Sequence, residues 1–499
     1  SESPPTLGPA IGAPAEATLG AASLESRPAG SRRVRQLPPP PRAEQLPPPL
    51  PRLPGSAPEQ VVLRRRWAKP RRREVYSFLS SFVVHSLAMV VLALWVEPAG
   101  SGNSLGWIDG ALDETPEIER LESEPLMPTA VAAASGGGGG ADPQVGRGAP
   151  VTPHPTGAEA RAQWVGARGG NAESEAAVER GLRWLAAHQR ADGSWHFDLR
   201  KSPCGGMCRN SGTETSTTAA TAIVLLPFLG AGYTHRAGPY QDTVNRGLYH
   251  LAARARMTRH GADLQEGTMY AQGLSAIALC ETYAMTRDPA LKDLAQQAIH
   301  FIVYAQDSKG GGWRYTPGEP GDTTVTGWQI MALKSARLAG LDVPTPNWFL
   351  AQRFLNSVQS DDGAQYGYMS PAPRATTSAV GLLCRMYGGW RREHEALRRG
   401  VERLSAEGPS KDDMYYNYYA TQVLCHWGGA PWERWNRVMR DHLIATQARA
   451  SHEAGSWHFS GGRGDVGGRL YNTAMAVMTL EVYYRYLPLL DRRAVETEF

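Results

Sequence analysis

The feature that most limits this chain is a repeat: from Asn171 onward, helix-like segments come in pairs with a period near fifty residues. The first clear copy runs from Arg180 through His188-Gln189 and returns as Ala191-Asp192-Gly193-Ser194-Trp195. Looser copies are Ala305-Gln306 with Gly312-Trp313, Val358-Gln359 with Gly367-Tyr368, and Thr446-Gln447 with Gly455-Ser456-Trp457. In each, Gln ends an amphipathic helix, Gly turns the chain, and an aromatic ring returns towards that helix. The amide can then satisfy backbone groups left open at the helix end. Between Gln189 and Gln447 lie five steps of about 52 residues.

Six helix pairs are expected. The first members, near 173–189, 240–257, 289–306, 346–359, 390–406 and 431–447, carry charge on one face. The second members, near 215–231, 266–285, 322–340, 374–388, 412–429 and 468–487, are apolar on most sides. A helix apolar nearly all round needs neighbours all round, which puts six helices in an inner ring and six outside it. No convincing strand alternation interrupts the pattern. The 14 Trp, 19 Tyr and 9 Phe supply core-forming surface, while five Cys in 499 residues make no disulfide scaffold.

The chain before the repeats divides by composition. Residues 1–63 form a Pro-rich stretch, with 15 of the 37 Pro falling before residue 61, and are expected to be a disordered, extended cytoplasmic tail with no assigned partner. Residues 64–74 hold seven cations, from Arg64 to Arg73. That run alone would suit nucleic acid, but the next 22 residues, 75–96, contain no Asp, Glu, Lys or Arg. As a helix they reach about 33 Å, enough to cross a hydrocarbon core, and Tyr76 and Trp95 sit where interfacial aromatics belong. The expectation is therefore a signal-anchor helix in the inner membrane and no nucleic-acid partner. Cations precede the span and no Lys or Arg occurs from Glu97 to Glu119, so the N-terminus is expected in the cytoplasm and the repeats in the periplasm. Residues 97–170, acidic and then Gly-rich through Gly136–Gly140, read as a flexible tether.

The Gln-to-Gly-to-Trp segments resemble the repeats of protein prenyltransferases and squalene–hopene cyclases. Gly312-Trp313-Arg314-Tyr315, the run from Gly321 to Gln329, and Asp413-Met414-Tyr415-Tyr416-Asn417-Tyr418-Tyr419 look typical of membrane-anchored planctomycete-type bacterial proteins with such repeats. The resemblance implies an all-α fold, a six-paired α/α toroid over 171–490, followed by a tail at 491–499. In such a barrel the inner helices run parallel and their N-termini gather at one mouth. The candidate ligand-binding residues there are Glu214, Glu266, Tyr270, Thr323, Arg374, Tyr415, Tyr416, Arg469, Tyr471 and Asn472, with Asp322, Asp412 and Asp413 as candidate acids or bases.

The reactions of the resembled families need groups this chain lacks. Where a squalene cyclase carries the Asp that delivers a proton, the stretch Glu319-Pro320-Gly321-Asp322-Thr323 has Gly321, and Asp322 alone also suits a helix N-cap. The zinc triad of a prenyltransferase needs a Cys two residues after its Asp, and Thr324 stands there. A complement-type thioester needs Gln three residues after Cys; Met207, Ser211, Tyr283, Tyr387 and Gly428 occupy that place. The Asp412-Asp413 pair could divide acid and base roles, as in toroidal lyases and glycosidases, although Asp in a first helical turn is also favoured by the helix dipole. Cys204 and Cys208 suit a local disulfide in an oxidising space, or half of a zinc site completed by His196 and His235. Cys280, Cys384 and Cys425 suit core packing. The leading expectation is a toroid that binds a lipid, isoprenoid or peptide in a central apolar cavity, with no cofactor beyond the zinc option. An isoprenoid-processing enzyme and a carbohydrate-active toroid stay open beside it.

Overall fold

The computed structural model describes residues 165–166, 168–483 and 493–496. The expected tail, basic run, anchor at 75–96 and nearly all of the tether lie outside these residues. Among the described residues, no helix is long and apolar enough to cross a membrane.

Among the described residues, twelve long helices alternate between two layers. The outer ones are α1 (Ala172–Ala187), α3 (Gln241–Arg254), α5 (Pro289–Ala305), α7 (Thr345–Val358), α9 (Glu395–Glu407) and α11 (Gly429–Thr446). The inner ones are α2 (Thr217–Gly230), α4 (Met269–Thr286), α6 (Thr323–Leu338), α8 (Ala375–Tyr387), α10 (Met414–Trp427) and α12 (Arg463–Leu480). The layers differ as their sequences require. In α9 only Ala396, Leu397, Gly400, Val401 and Leu404 are buried, a single stripe at helical spacing. In α2 every residue from Thr218 to Gly230 is buried.

Each inner helix packs on the next, and α12 packs back on α2. The helix α1 leans on α12 and on α11, so the first and last repeats meet and the ring is closed. Asn436 and Arg440 of α11 donate to the Gly169 carbonyl, at 2.8 and 2.7 Å, drawing the end of the tether region onto this seam. A last short helix, α13 (Arg493–Glu496), packs on α8.

The repeat motif has a plain physical content. Trp195, Trp313 and Trp457 are fully buried, and each indole N–H donates to a carbonyl of the preceding outer helix, Leu185, Ile302 and Leu443, at 2.7–2.8 Å. Each backbone N–H of these tryptophans donates to a threonine of the following inner helix, Thr221, Thr326 and Thr473. The glutamines reach across repeats: Gln189 donates to the carbonyl of Thr243, Gln306 to that of Asn347, and Gln447 to that of Ala177 in the first repeat. The turn glycine is required by close approach. At Gly311, φ is +87° and a Cβ would stand 1.9 Å from the Leu350 carbonyl oxygen of the next outer helix.

Two expectations need correction. In the third copy the buried ring is Tyr366, whose N–H donates to Ser378, while Tyr368 turns to the mouth and its hydroxyl lies 3.0 Å from that of Tyr315. Short strands are also present. β1 (Arg256–Thr258) pairs antiparallel with β2 (Gly261–Asp263), and β3 (Gln359–Ser360) with β4 (Gln365–Tyr366). These hairpins of two or three residues per strand join outer to inner helices, too short to leave an alternating pattern in the sequence.

Candidate functional site

The loops from outer to inner helices collect where the inner helices begin, and a cavity of about 270 Å³ opens there between the starts of α10 and α12. Asp412, Asp413, Met414, Tyr415, Arg463 and Tyr471 line it, with Ser410, Ser460 and three glycines. The helix starts explain their placement. Asp413 is the N-cap of α10 and accepts from the Tyr416 N–H at 3.0 Å, while its other oxygen accepts from the Thr376 hydroxyl at 2.9 Å. Asp412, one residue earlier, is exposed.

Arg463 begins α12 and was not anticipated. Its guanidinium lies on the Tyr415 ring, 4.5 Å from the centroid. Its Nε is buried without a hydrogen-bond partner, and no carboxylate among the described residues stands within ion-pair distance. Burial pushes the Tyr415 and Tyr471 hydroxyls up, against the nearby Arg463 charge, which keeps both phenols protonated donors. Tyr415 uses its proton on the Thr324 carbonyl at 3.2 Å.

Asp322 is fully buried beside this cavity and is not part of its lining. One oxygen accepts from Thr324 N–H at 2.9 Å, Thr324 hydroxyl at 2.7 Å and Val325 N–H at 2.9 Å, a complete N-cap for α6. The other oxygen has no hydrogen bond and lies 3.9 Å from Arg314. Burial raises the carboxyl above the usual carboxylate range, against those hydrogen bonds and the Arg314 charge. Asparagine can supply the same cap, so Asp322→Asn is expected to cost under about 1 kcal/mol and Asp322→Ala about 2 kcal/mol in denaturant unfolding. Equal losses would show that the fold needs the charge and not the cap.

The remaining candidates, Arg374 apart, have structural partners. Tyr270 is buried, with its hydroxyl 2.8 Å from that of Thr324. Thr323 braces the neighbouring repeat by donating to the Gly367 carbonyl at 2.6 Å. Glu266 closes the start of α2, accepting from Thr218 N–H at 2.6 Å and pairing with Arg254. Burial would raise its carboxyl, but the Thr218 bonds and Arg254 hold it below the usual range. Glu214 accepts from the N–H groups of Thr215 and Ser216 just before α2. Arg374 is exposed and outside the cavity lining. Three expected mouth residues face elsewhere. Tyr416 packs on Trp435 of the outer layer and donates to the Gly408 carbonyl. Asn472 ties the Gly464 and Gly468 carbonyls together. Arg469 lies in the seam, bonded to Asn210, Ser456 and Glu453. The helix-start rule locates these residues along the axis but does not say which face they take.

A second constellation lies at the seam. Cys204 and Cys208 are free thiols, not a disulfide. Their companions are His188 and His452, not His196 and His235: the four ligand atoms lie within 4.8 Å of one another. His196 points its Nδ1 to the Asp198 N–H and His235 pairs with Asp288 at 2.7 Å, which removes both from the cluster.

The sequence matches no protein-family model and no curated protein. Among solved structures it is similar to the GH76A α-1,6-mannanase of Salegentibacter sp., at 12% identity and a TM-score of 0.44, over 64% of this chain and 100% of that one. It is also similar to the type II terpene cyclase of Scytonema, at 12% identity and 0.44, over 63% and 99% of the two chains. A third is the GH76 α-mannanase of Bacteroides thetaiotaomicron, at 11% identity and 0.46, over 64% and 98%. The closed ring described above rests on this chain's own helix contacts.

Proposed function

We propose that this chain is a ligand-binding toroid, held outside the cytoplasm by the anchor at 75–96, that takes the charged end of an amphipathic ligand at its mouth. The observation that carries this reading is Arg463, a half-buried guanidinium with no carboxylate within ion-pair distance and only the longer-range charge of Asp413 across the same lining, facing a cavity of about 270 Å³. Such a group favours a phosphate or carboxylate, which it can grip with several N–H donors. Asp412 and Asp413 line the same cavity, so the ligand presents a donor or cation beside its acid. A phosphoethanolamine lipid head or a zwitterionic dipeptide has that pair of charges.

Two features favour binding over turnover. Asp413 has both carboxylate oxygens engaged, and Asp322 is sealed under its own cap. Deeper in the ring Trp328 packs on Tyr415, Tyr418 and Tyr419 across the interior, so an apolar tail of any length would lie towards the rim and not along the axis. The planctomycete-type repeat proteins that the sequence resembles support the anchored placement in the same way as the run of cations before residue 75.

The test is calorimetric titration of the full chain with O-phosphoethanolamine and with a dipeptide. One probe is expected to bind, and Arg463→Gln is expected to weaken it by about tenfold or more, since a charged hydrogen bond contributes about 1.5–3 kcal/mol. No binding by either probe, or equal binding to Arg463→Gln, would sink the reading.

A further inference from the structure

We propose that His188, Cys204, Cys208 and His452 form a structural zinc site that clasps the first repeat of the ring to the last. His188 ends α1, the two cysteines lie in the loop between α1 and α2, and His452 lies in the loop between α11 and α12. The chain separates these ligands by most of the toroid; ring closure brings them together.

The geometry suits a tetrahedral ion. With Zn–S near 2.3 Å and Zn–N near 2.0–2.1 Å, ligand atoms around zinc stand about 3.3–3.8 Å apart. Cys208 Sγ already stands 3.4 Å from His188 Nε2 and 3.3 Å from His452 Nδ1. The four atoms span at most 4.8 Å, so closing on an ion needs side-chain movement of about 1 Å. Gly205 and Gly206, at φ +58° and +86°, supply the tight loop that turns both thiols to one side.

The surroundings orient the ligands as a metal site requires. His188 Nδ1 lies 2.6 Å from the Trp184 carbonyl, which places the proton on Nδ1 and leaves Nε2 as the donor atom. The Trp184 ring stacks on His188 at 3.9 Å and its N–H donates to the His452 carbonyl at 3.2 Å. The residues following Cys208 and His452, Arg209 and Glu453, form a two-bond ion pair at 2.9 and 3.0 Å across the seam. Three ligands are buried and His452 is exposed, which leaves the ion a route in. Two thiolates and two imidazoles favour zinc over magnesium or calcium, and four protein ligands leave no open position for chemistry. The site is therefore a clasp. It is independent of the Arg463 cavity.

The test uses the full chain purified without chelator or added metal. About one zinc per chain is expected by elemental mass spectrometry, retained in Cys384→Ser and lost in Cys208→Ser. Replacement by Co²⁺ is expected to give the intense visible absorption of tetrahedral thiolate-bound cobalt, which a hydrogen-bonded cluster would not produce. If Cys208→Ser does not fold, the unmodified chain decides: stripping by a chelator is expected to lower Tm by roughly 10 °C, restored by Zn²⁺ and not by Mg²⁺. A folded, zinc-free chain with a Cys204–Cys208 disulfide in its peptide map would overturn the proposal. So would zinc retained undiminished in folded Cys208→Ser.

Discussion

Trp313→Ala is expected to lower the unfolding free energy by about 3–5 kcal/mol, the range for deleting a large buried ring. The ring is wholly enclosed between α5 and α6, and its N–H is bonded to the Ile302 carbonyl. Its removal leaves a cavity and an unpaired carbonyl inside the wall. Its neighbours are already closely packed: there is no room for a Cβ between Gly311 and the Leu350 carbonyl or between Gly312 and Phe354, which limits collapse into the space left. Urea unfolding of the full chain, followed by far-UV circular dichroism, measures the loss. The same substitution at the exposed Phe349 serves as a control, expected to change stability by less than about 0.5 kcal/mol. A loss at Trp313 no larger than that at Phe349 would mean that the repeat motif does not hold the wall.

Glu453→Gln is the second large effect, expected to cost about 3 kcal/mol. The Glu453 and Arg469 side chains are only 7% and 6% exposed, and they lie 3.2 Å apart. Arg209, the other partner, is 81% exposed and contributes less because water screens it. Removing the charge on Glu453 leaves the Arg469 guanidinium buried without a carboxylate, the expensive way to break such a pair. Arg469 keeps bonds to Asn210 and Ser456, which sets the loss at the low end of the range for buried ion pairs. The comparison that isolates the charge is Arg209→Gln, which leaves the buried pair intact and is expected to cost under about 1 kcal/mol. Similar losses from the two variants would contradict this division.

The helices were legible because their periods are strong. Eleven of the twelve begin or end within a few residues of the positions expected from apolar spacing, and the glutamine, glycine and tryptophan signature marks the joints. The twelfth is the exception, because five glycines crowd residues 461–468 and hide its start, so that apolar spacing alone places it at 468. The chain turns helical at Arg463 and breaks its φ/ψ at Gly468, so the first turn, with the one unpaired cation of the cavity, went unseen. The mouth was partly legible. Asp412, Asp413, Tyr415 and Tyr471 follow from helix starts alone, whereas Tyr416, Arg469 and Asn472 needed knowledge of the helix face. In the fourth helix pair two tyrosines two residues apart compete for one slot, and spacing cannot choose between Tyr366 and Tyr368. The cysteine pair was visible as a local motif. His188 and His452 were not, because only closure of the ring makes them neighbours.

That closure is tested most directly by a double-mutant cycle between Arg180 of α1 and Gln447 at the end of α11, which hydrogen-bond at 2.9 Å across 267 residues of sequence. Arg180→Ala, Gln447→Ala and the double variant, unfolded under the same conditions, give the coupling between them. A closed ring predicts a coupling of about 0.5–1.5 kcal/mol. A coupling of zero, with both single variants folded, would mean that the first and last repeats do not meet.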